Sequence, residues 1–213
     1  RRYTYRFVLL PETIGSITYL SKNLKHLRKN VIAGYNVTCV GDNRTYSYLP
    51  SRNGKTLSDR VLKHILKWTD KNFKEYSWLD RGSDERQYCA PGVDLPIASI
   101  IRSKYECYKE YHTSLDNLDF VNGDQIAETL KLYLGAVEIL DKNKTYRSTM
   151  PFCEPQLGRR GLYPNIGGGY RVDSDSPDTN AEIPDEVNII SWILFLADGS
   201  CDLVTMAERS GIA

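Results

Sequence analysis

"GSDERQYCAPGVDLPIASII", residues 82–101, carries three adjacent charged side chains, an aromatic, a cysteine, a Pro-Gly turn and then an unbroken apolar finish. The finish, "LPIASII", is short, aliphatic and introduced by proline, and it predicts a buried strand. The charged run before it has two readings. Asp84, Glu85 and Arg86 form a solvated ion-pair loop of little energetic weight, or they rim a site, with the carboxylates as acceptors and Arg86 holding them or a substrate carboxylate. Loops that leave strand ends are where open α/β sheets place their chemistry, so the residues around this run decide between the two.

To the N-terminal side, "RYTYRFVLL" (residues 2–10) alternates aromatic and polar residues before an aliphatic end and predicts a strand. "PETIGS" interrupts it. Ile17, Leu20, Leu24 and Leu27 then recur at helical spacing, with Lys and Arg gathered towards the end where the helix dipole favours cations. "NVIAGYNVTCV" (30–40) predicts a second strand, closed by "GDN". Leu57, Val61, Ile65 and Trp68 mark another amphipathic helix. "GDQIAETLKLYLGAVEILDKN" (123–143) is the longest helical pattern, with apolar residues at 126, 130, 134 and 137. Strands alternating with helices predict an α/β layer structure with its sheet covered on both faces.

From Met150 to about Asn180 the chain is rich in Pro, Gly, Ser and Asp without periodicity, which predicts an irregular segment becoming a linker. "IGGGY" (166–170) follows no strand and reads as a turn rather than a phosphate loop. Beyond it, "PDEVNIISWILFLADGSCDLVTMAERSGIA" predicts a helix, a Gly turn and a second helix. That pattern resembles the opening of a winged helix-turn-helix, or else is a helical cap on the main domain. The expected division is therefore an α/β domain over 1–150, an irregular segment and linker over 151–184, and a partial winged helix over 185–213.

With 28 Lys and Arg against 27 Asp and Glu, the chain has no excess charge to draw it onto nucleic acid or an anionic membrane. Nucleic acid is an expected partner only through the C-terminal helices. The longest apolar run, 188–197, is too short to span a bilayer. Five widely spaced cysteines without a C-x-x-C indicate reduced thiols and a cytoplasmic location. An opening arginine and an ending within a helical pattern lead us to expect an internal fragment of a longer chain.

Individual residues leave alternatives open. Glu12 follows the first predicted strand, as a metal ligand, a proton acceptor or a cap on the next helix. His112, with Asp116 four residues on, is a zinc ligand or an incidental loop residue. His26 and His64 read as surface positions. No G-x-S-x-G is present to support a serine nucleophile.

The order of the segments "PETIGS", "NVTCVG", "SDERQY", "GVDLP" and "YHTSLD" resembles the zinc-dependent aminopeptidase family that also contains the glutaminyl cyclases. "PETIGS", "GSDERQYC", "YHTS" and "EPQLGRRGLYP" look like a bacterial group of aminopeptidase-like domain proteins in which a winged helix follows. The resemblance implies a three-layer mixed sheet of the zinc exopeptidase type, incomplete at its N-terminus, and a hydrolase acting on an N-terminal amino acid or related amide of a small peptide or amino compound. It implies His112 as a metal ligand, Glu12 as ligand or general base, Asp84 as a catalytic carboxylate, and Glu85, Arg86, Tyr88 and Tyr111 as substrate-binding residues. Three departures accompany it, one of them Glu85 where the family has a His. Pro11 stands where the family has the first of two Glu, and Thr38 where it has an Asp ligand, so one zinc ion is expected rather than two. The rival implication is a degenerate peptidase-like module that binds a small molecule and couples it to the winged helix. Amide-forming cyclisation is a third.

Overall fold

A computed structural model describes residues 2–162 and 185–212, and the chain divides at Lys142 into two compact units. The "IGGGY" turn and most of the expected linker lie outside the described residues.

The first unit is built on β4 (Ile97–Ile101), all five residues of which are buried. It lies between β1 (Gly34–Tyr35) and β2 (Ser47–Leu49), and β3 (Lys74–Glu75) completes the order β1-β4-β2-β3. The sheet is mixed: β1 runs parallel to β4 with Gly34 opposite Ile97, β2 antiparallel with Tyr48 opposite Ile100, and β3 parallel to β2. Side chains alternate along a strand, so Ile97 and Ile100 point to opposite faces. Helix α1 (Ile14–Asn30) buries Leu20 and Leu27 in a cluster with Ile97, Leu95 and Cys89. Helix α2 (Leu57–Thr69) packs on β4 and on α4 (Gly123–Lys142), while α3 (Glu85–Tyr88) is a single turn beside α1 and β4.

The predicted strand over 30–40 is cut to two residues, and a side chain explains why. The Tyr133 hydroxyl accepts from the Ile100 amide at 3.0 Å and lies 2.7 Å from the Ile100 carbonyl and 3.3 Å from that of Asn36. Asn36 still donates to Ala98, and the Arg102 amide still reaches Cys39, so the two segments stay neighbours around an inserted phenol. Burial keeps that phenol protonated well above neutral pH.

Three further expectations are corrected. Residues 2–10 form no strand. No strand pairs with them, Phe7 and Leu9 are 91% and 95% exposed, and the segment is held by side chains, with Tyr5 donating to Asp141 at 2.8 Å. On α4, Ile126, Leu130 and Leu134 are exposed, and the buried stripe is Thr129, Leu132, Tyr133, Ala136 and Leu140. That helix has two apolar faces, and periodicity alone selects the wrong one. Lastly, the first unit ends at Lys142 and not at 150, because β5 (Thr145–Arg147) pairs antiparallel with β6 (Asp198–Asp202) in the second unit. There β6 occupies the predicted Gly turn, between α5 (Asp185–Leu196) and α6 (Leu203–Ser210). Asp202 caps α6 by accepting from the Thr205 amide, and Gly211 ends it in the left-handed conformation.

Asp59 anchors the start of α2. Its buried carboxylate accepts from the amide and hydroxyl of Ser51, the amide and hydroxyl of Thr56, and the Tyr48 hydroxyl, all within 2.8 Å. Burial opposes its ionisation, but those bonds together outweigh it and hold the carboxyl below its ordinary value. A folded pKa below the unfolded one gives stability that is present above about pH 4 and is lost as pH falls through the folded value. In acid titrations followed by urea denaturation, Asp59→Asn should lower stability at pH 7 and flatten part of the loss below pH 4. Tyr133→Phe strands the Ile100 amide and should cost about 1–3 kcal/mol in the same assay, with no pH dependence near neutrality.

Candidate functional site

The opening run folds around one carboxylate. Glu85 is buried, and its Oε1 accepts from the Gly82 amide (2.8 Å), the Ser83 amide (2.9 Å) and the Tyr105 hydroxyl (2.7 Å), while Oε2 accepts from Asn36 Nδ2 (2.8 Å). The residue joins the end of β1, the 82–88 turn and the loop after β4. Gly82 is required there, because a Cβ at that position would run into the Tyr105 ring. Glu85 was expected to meet substrate; the structure instead turns it inward and occupies it with four protein donors.

Asp84, next to it, points the other way. Its Oδ1 accepts from the Thr13 amide at 2.7 Å, and its other oxygen has no hydrogen bond among the described residues. Thr13 has φ 60° and ψ −69°, and the Ile14 amide bonds back to the Glu12 carbonyl at 2.7 Å. This is a γ-turn of the strained, positive-φ kind on a β-branched residue. Asp84 is the side chain that ties it down, and the exposed Glu12 carboxylate stands at its entrance with no bonded partner among the described residues. Below the turn, Ser16 donates to the Tyr88 hydroxyl at 3.3 Å, and Tyr88 packs against the cluster of Leu20, Cys89 and Ile97.

Residues 105–112 complete the surface. Tyr111 packs with Tyr105 and Tyr108, and the exposed His112 ring stacks on Tyr111 with centroids 3.9 Å apart. Burial raises the Tyr111 phenol, the carboxylates of Glu12 and Glu106 raise it further, and the Arg86 charge opposes them. Those influences put Glu12 and Arg86 in the electrostatic neighbourhood of the phenol that carries His112. Burial also raises the Cys39 thiol, which therefore stays protonated and is no activated nucleophile.

Four of the six non-glycine residues with positive φ, Thr13, Cys39, Glu106 and His112, belong to this surface. Strain of this kind persists only where surrounding contacts hold it, and it gathers at ligand sites. The structure thus brings together Glu12, Asp84, Arg86, Tyr111 and His112, with Tyr88 and Glu85 beneath. Sequence reasoning missed Asn36 and Tyr105. A polar Asn inside an apolar strand and tyrosines at three-residue spacing (105, 108, 111) were the available signals.

Among the described residues, no group of three or more His, Cys, Asp or Glu converges to hold a metal ion. The described residues by themselves complete no zinc site, and His112 and Glu12 are the side chains of the expected ligand set that they contain. No described helix is long and apolar enough to cross a membrane, and all five cysteines are free.

The family described as a domain of unknown function, DUF4910, matches residues 1–143, and a winged helix-turn-helix family matches 144–213. A Clostridium acetobutylicum protein, provisionally described as a polysaccharide biosynthesis protein with an aminopeptidase-like domain, is 38% identical over 99% of this chain and 46% of its own length. The chain thus spans about half of that relative. A crystal structure provisionally titled a peptidase from the same organism is 36% identical, with a TM-score of 0.78 over 95% of this chain and 42% of that one. An aminopeptidase from Aneurinibacillus sp. strain AM-1 shares the fold over 59% of this chain and 30% of its own, with a TM-score of 0.50 at 18% identity.

Glu85→Ala would strand the Ser83 amide and the Asn36 side-chain amide and remove the acceptor of the Tyr105 hydroxyl. It should cost more than about 3 kcal/mol in urea denaturation, whereas Arg86→Ala, on the surface, should change stability by less than about 0.5 kcal/mol.

Proposed function

The chain belongs, through residues 1–143, to the DUF4910 family, and from that premise we propose that the complete protein is a hydrolase of aminopeptidase type, with this chain forming one wall of its site. Its substrate in this reading is a small peptide or related amide with a free amino end. The observation that carries the reading is the strained turn at Glu12–Thr13 pinned by Asp84, which sets two carboxylates with unused oxygens side by side.

In this reading, the free oxygens of Glu12 and Asp84 accept from a substrate ammonium group, a charge-assisted contact stronger than a neutral one. Glu12, the more exposed, also takes a proton from an attacking water at its carboxylate. Tyr111, a phenol and so neutral near pH 7, donates a hydrogen bond without competing for that proton. Arg86 holds a carboxylate of the substrate or balances the acidic pair. The aromatic face of Tyr111 and His112 bounds the side-chain pocket. Zinc dependence is part of the proposal for the complete protein, with His112 as the ligand this chain offers and Glu12 as a ligand only in place of its role as base.

The winged helix suggests nucleic acid as a second partner, but charge lends it little support: residues 144–213 contain six Lys and Arg against ten Asp and Glu. Phosphate contacts need a cationic surplus.

The test is release of an N-terminal residue from a panel of peptides and amino-acid amides by the complete protein, with zinc measured per chain by elemental analysis. Activity accompanied by about one zinc, lower metal content in His112→Ala, and at least about a hundredfold lower kcat in Glu12→Gln with folding intact are the expected results. Substrate binding without turnover in any metal-loaded form would replace the hydrolase with the binding-module reading.

A further inference from the structure

Outside that site, the loop after β4 closes a second and very different recess. Ser47 on β2 and Lys74 on β3 are register partners, and Ser103 and Lys104 lie just beyond β4. Together with Arg44 and Lys109 they line a cavity of about 270 Å³. Glu110 is the one carboxylate on its wall. Both of its oxygens lie 3.1 Å from Arg44 Nη2, so those two charges neutralise each other.

Three ammonium groups remain. None of Lys74, Lys104 and Lys109 forms an ion pair among the described residues. Lys74 and Lys109 are exposed, but Lys104 is only 6% exposed, and its Nζ has a single bonded acceptor, the Tyr105 carbonyl at 3.2 Å. The rings of Tyr105 and Tyr76, 5.0 and 5.6 Å from Nζ, give further but weak compensation. Asp80 senses the Lys104 charge, yet its Oδ2 accepts from both the amide and the hydroxyl of Ser77, and it makes no ion pair. An ammonium taken out of water with two donors unused is costly unless an anion meets it.

We propose that this cavity binds the phosphoryl group of a small phosphorylated molecule. A phosphomonoester carries about −1.5 to −2 charges near pH 7, which suits three uncompensated lysines better than the single charge of a carboxylate. Lysine binds phosphate as a point charge and needs no planar fork, as carboxylate recognition by Arg does. The volume lies just below the range of about 300–1,000 Å³ typical of small-molecule pockets, which leaves room for a short carbon skeleton beyond the phosphate. The cation surplus is on this unit as well, with 22 Lys and Arg against 17 Asp and Glu in residues 1–143. The cavity uses none of Glu12, Asp84, Arg86 or His112, so phosphate binding and hydrolysis stand or fall separately.

Isothermal titration of the complete protein with inorganic phosphate, glycerol 3-phosphate and acetate tests the proposal, with thermal shift as a second readout. Glycerol 3-phosphate should bind more tightly than phosphate, and acetate should bind not measurably. Lys104→Gln should weaken glycerol 3-phosphate binding by about tenfold or more. Lys74→Gln, a change at an exposed position that leaves folding intact, should weaken it by a smaller factor. Absence of binding by both phosphates, acetate binding as tight as theirs, or an affinity unchanged in both variants would overturn it. Phosphate binding equal to that of glycerol 3-phosphate would overturn the organic ligand and leave the free ion.

Discussion

The buried carboxylate of Glu85 is the constraint on which the first unit's working surface depends. A charged group with 1% exposure survives only if its lone pairs are met, and here two backbone amides, a phenol and a side-chain amide meet them. Those donors come from three separate parts of the chain: the segment leaving β1, the turn at 82–88 and the loop after β4. Fixing them to one point fixes their mutual positions. Asp84 is then aimed at the Thr13 amide, and Tyr105 leads into the aromatic group that carries Tyr111 and His112.

The same arrangement explains where strain resides. A threonine with φ 60° in a γ-turn costs of order 1–3 kcal/mol, and the bond from Asp84 to its amide is a charge-assisted contact that offsets part of that cost. The result is a Glu12 carboxylate held at the start of α1 rather than absorbed into the helix. Thr13 gives the helix no side-chain cap, so Glu12 and Asp84 remain available to a ligand. Tyr133 acts in a comparable way on the other side of β4, since its hydroxyl parts the strands where an unbroken ladder would have carried residues 36–39 straight past the site.

Much of this was legible in the residues. The periodicity of 14–30, 57–69 and 123–142 announced three helices, and "PIASII" announced the central strand, because those elements are set by local spacing and burial. The strand expected at 2–10 was not formed, since alternation records only that a segment could pair and not that a neighbour exists. On α4, two apolar stripes share one helix, and which one is buried depends on β4 and α2, not on the helix itself. For the site, the order of short motifs led us to expect Glu12, Asp84, Tyr111 and His112 in one neighbourhood. The inward turn of Glu85 was not readable, because its partners Asn36 and Tyr105 lie 49 and 20 residues away and only the fold brings them to it.

Two carboxylates with free oxygens, a neutral phenol and a stacked imidazole make up the surface on which the proposed amino-terminal ligand would sit, in a chain that spans under half of the relative it matches. The most direct test is a crystal structure of the complete protein with a non-hydrolysable dipeptide analogue. The account predicts the analogue's ammonium group within hydrogen-bonding distance of Glu12 and the free oxygen of Asp84, with its side chain against Tyr111. An analogue bound elsewhere, or Glu12 and Asp84 sealed against another part of the protein, would contradict it.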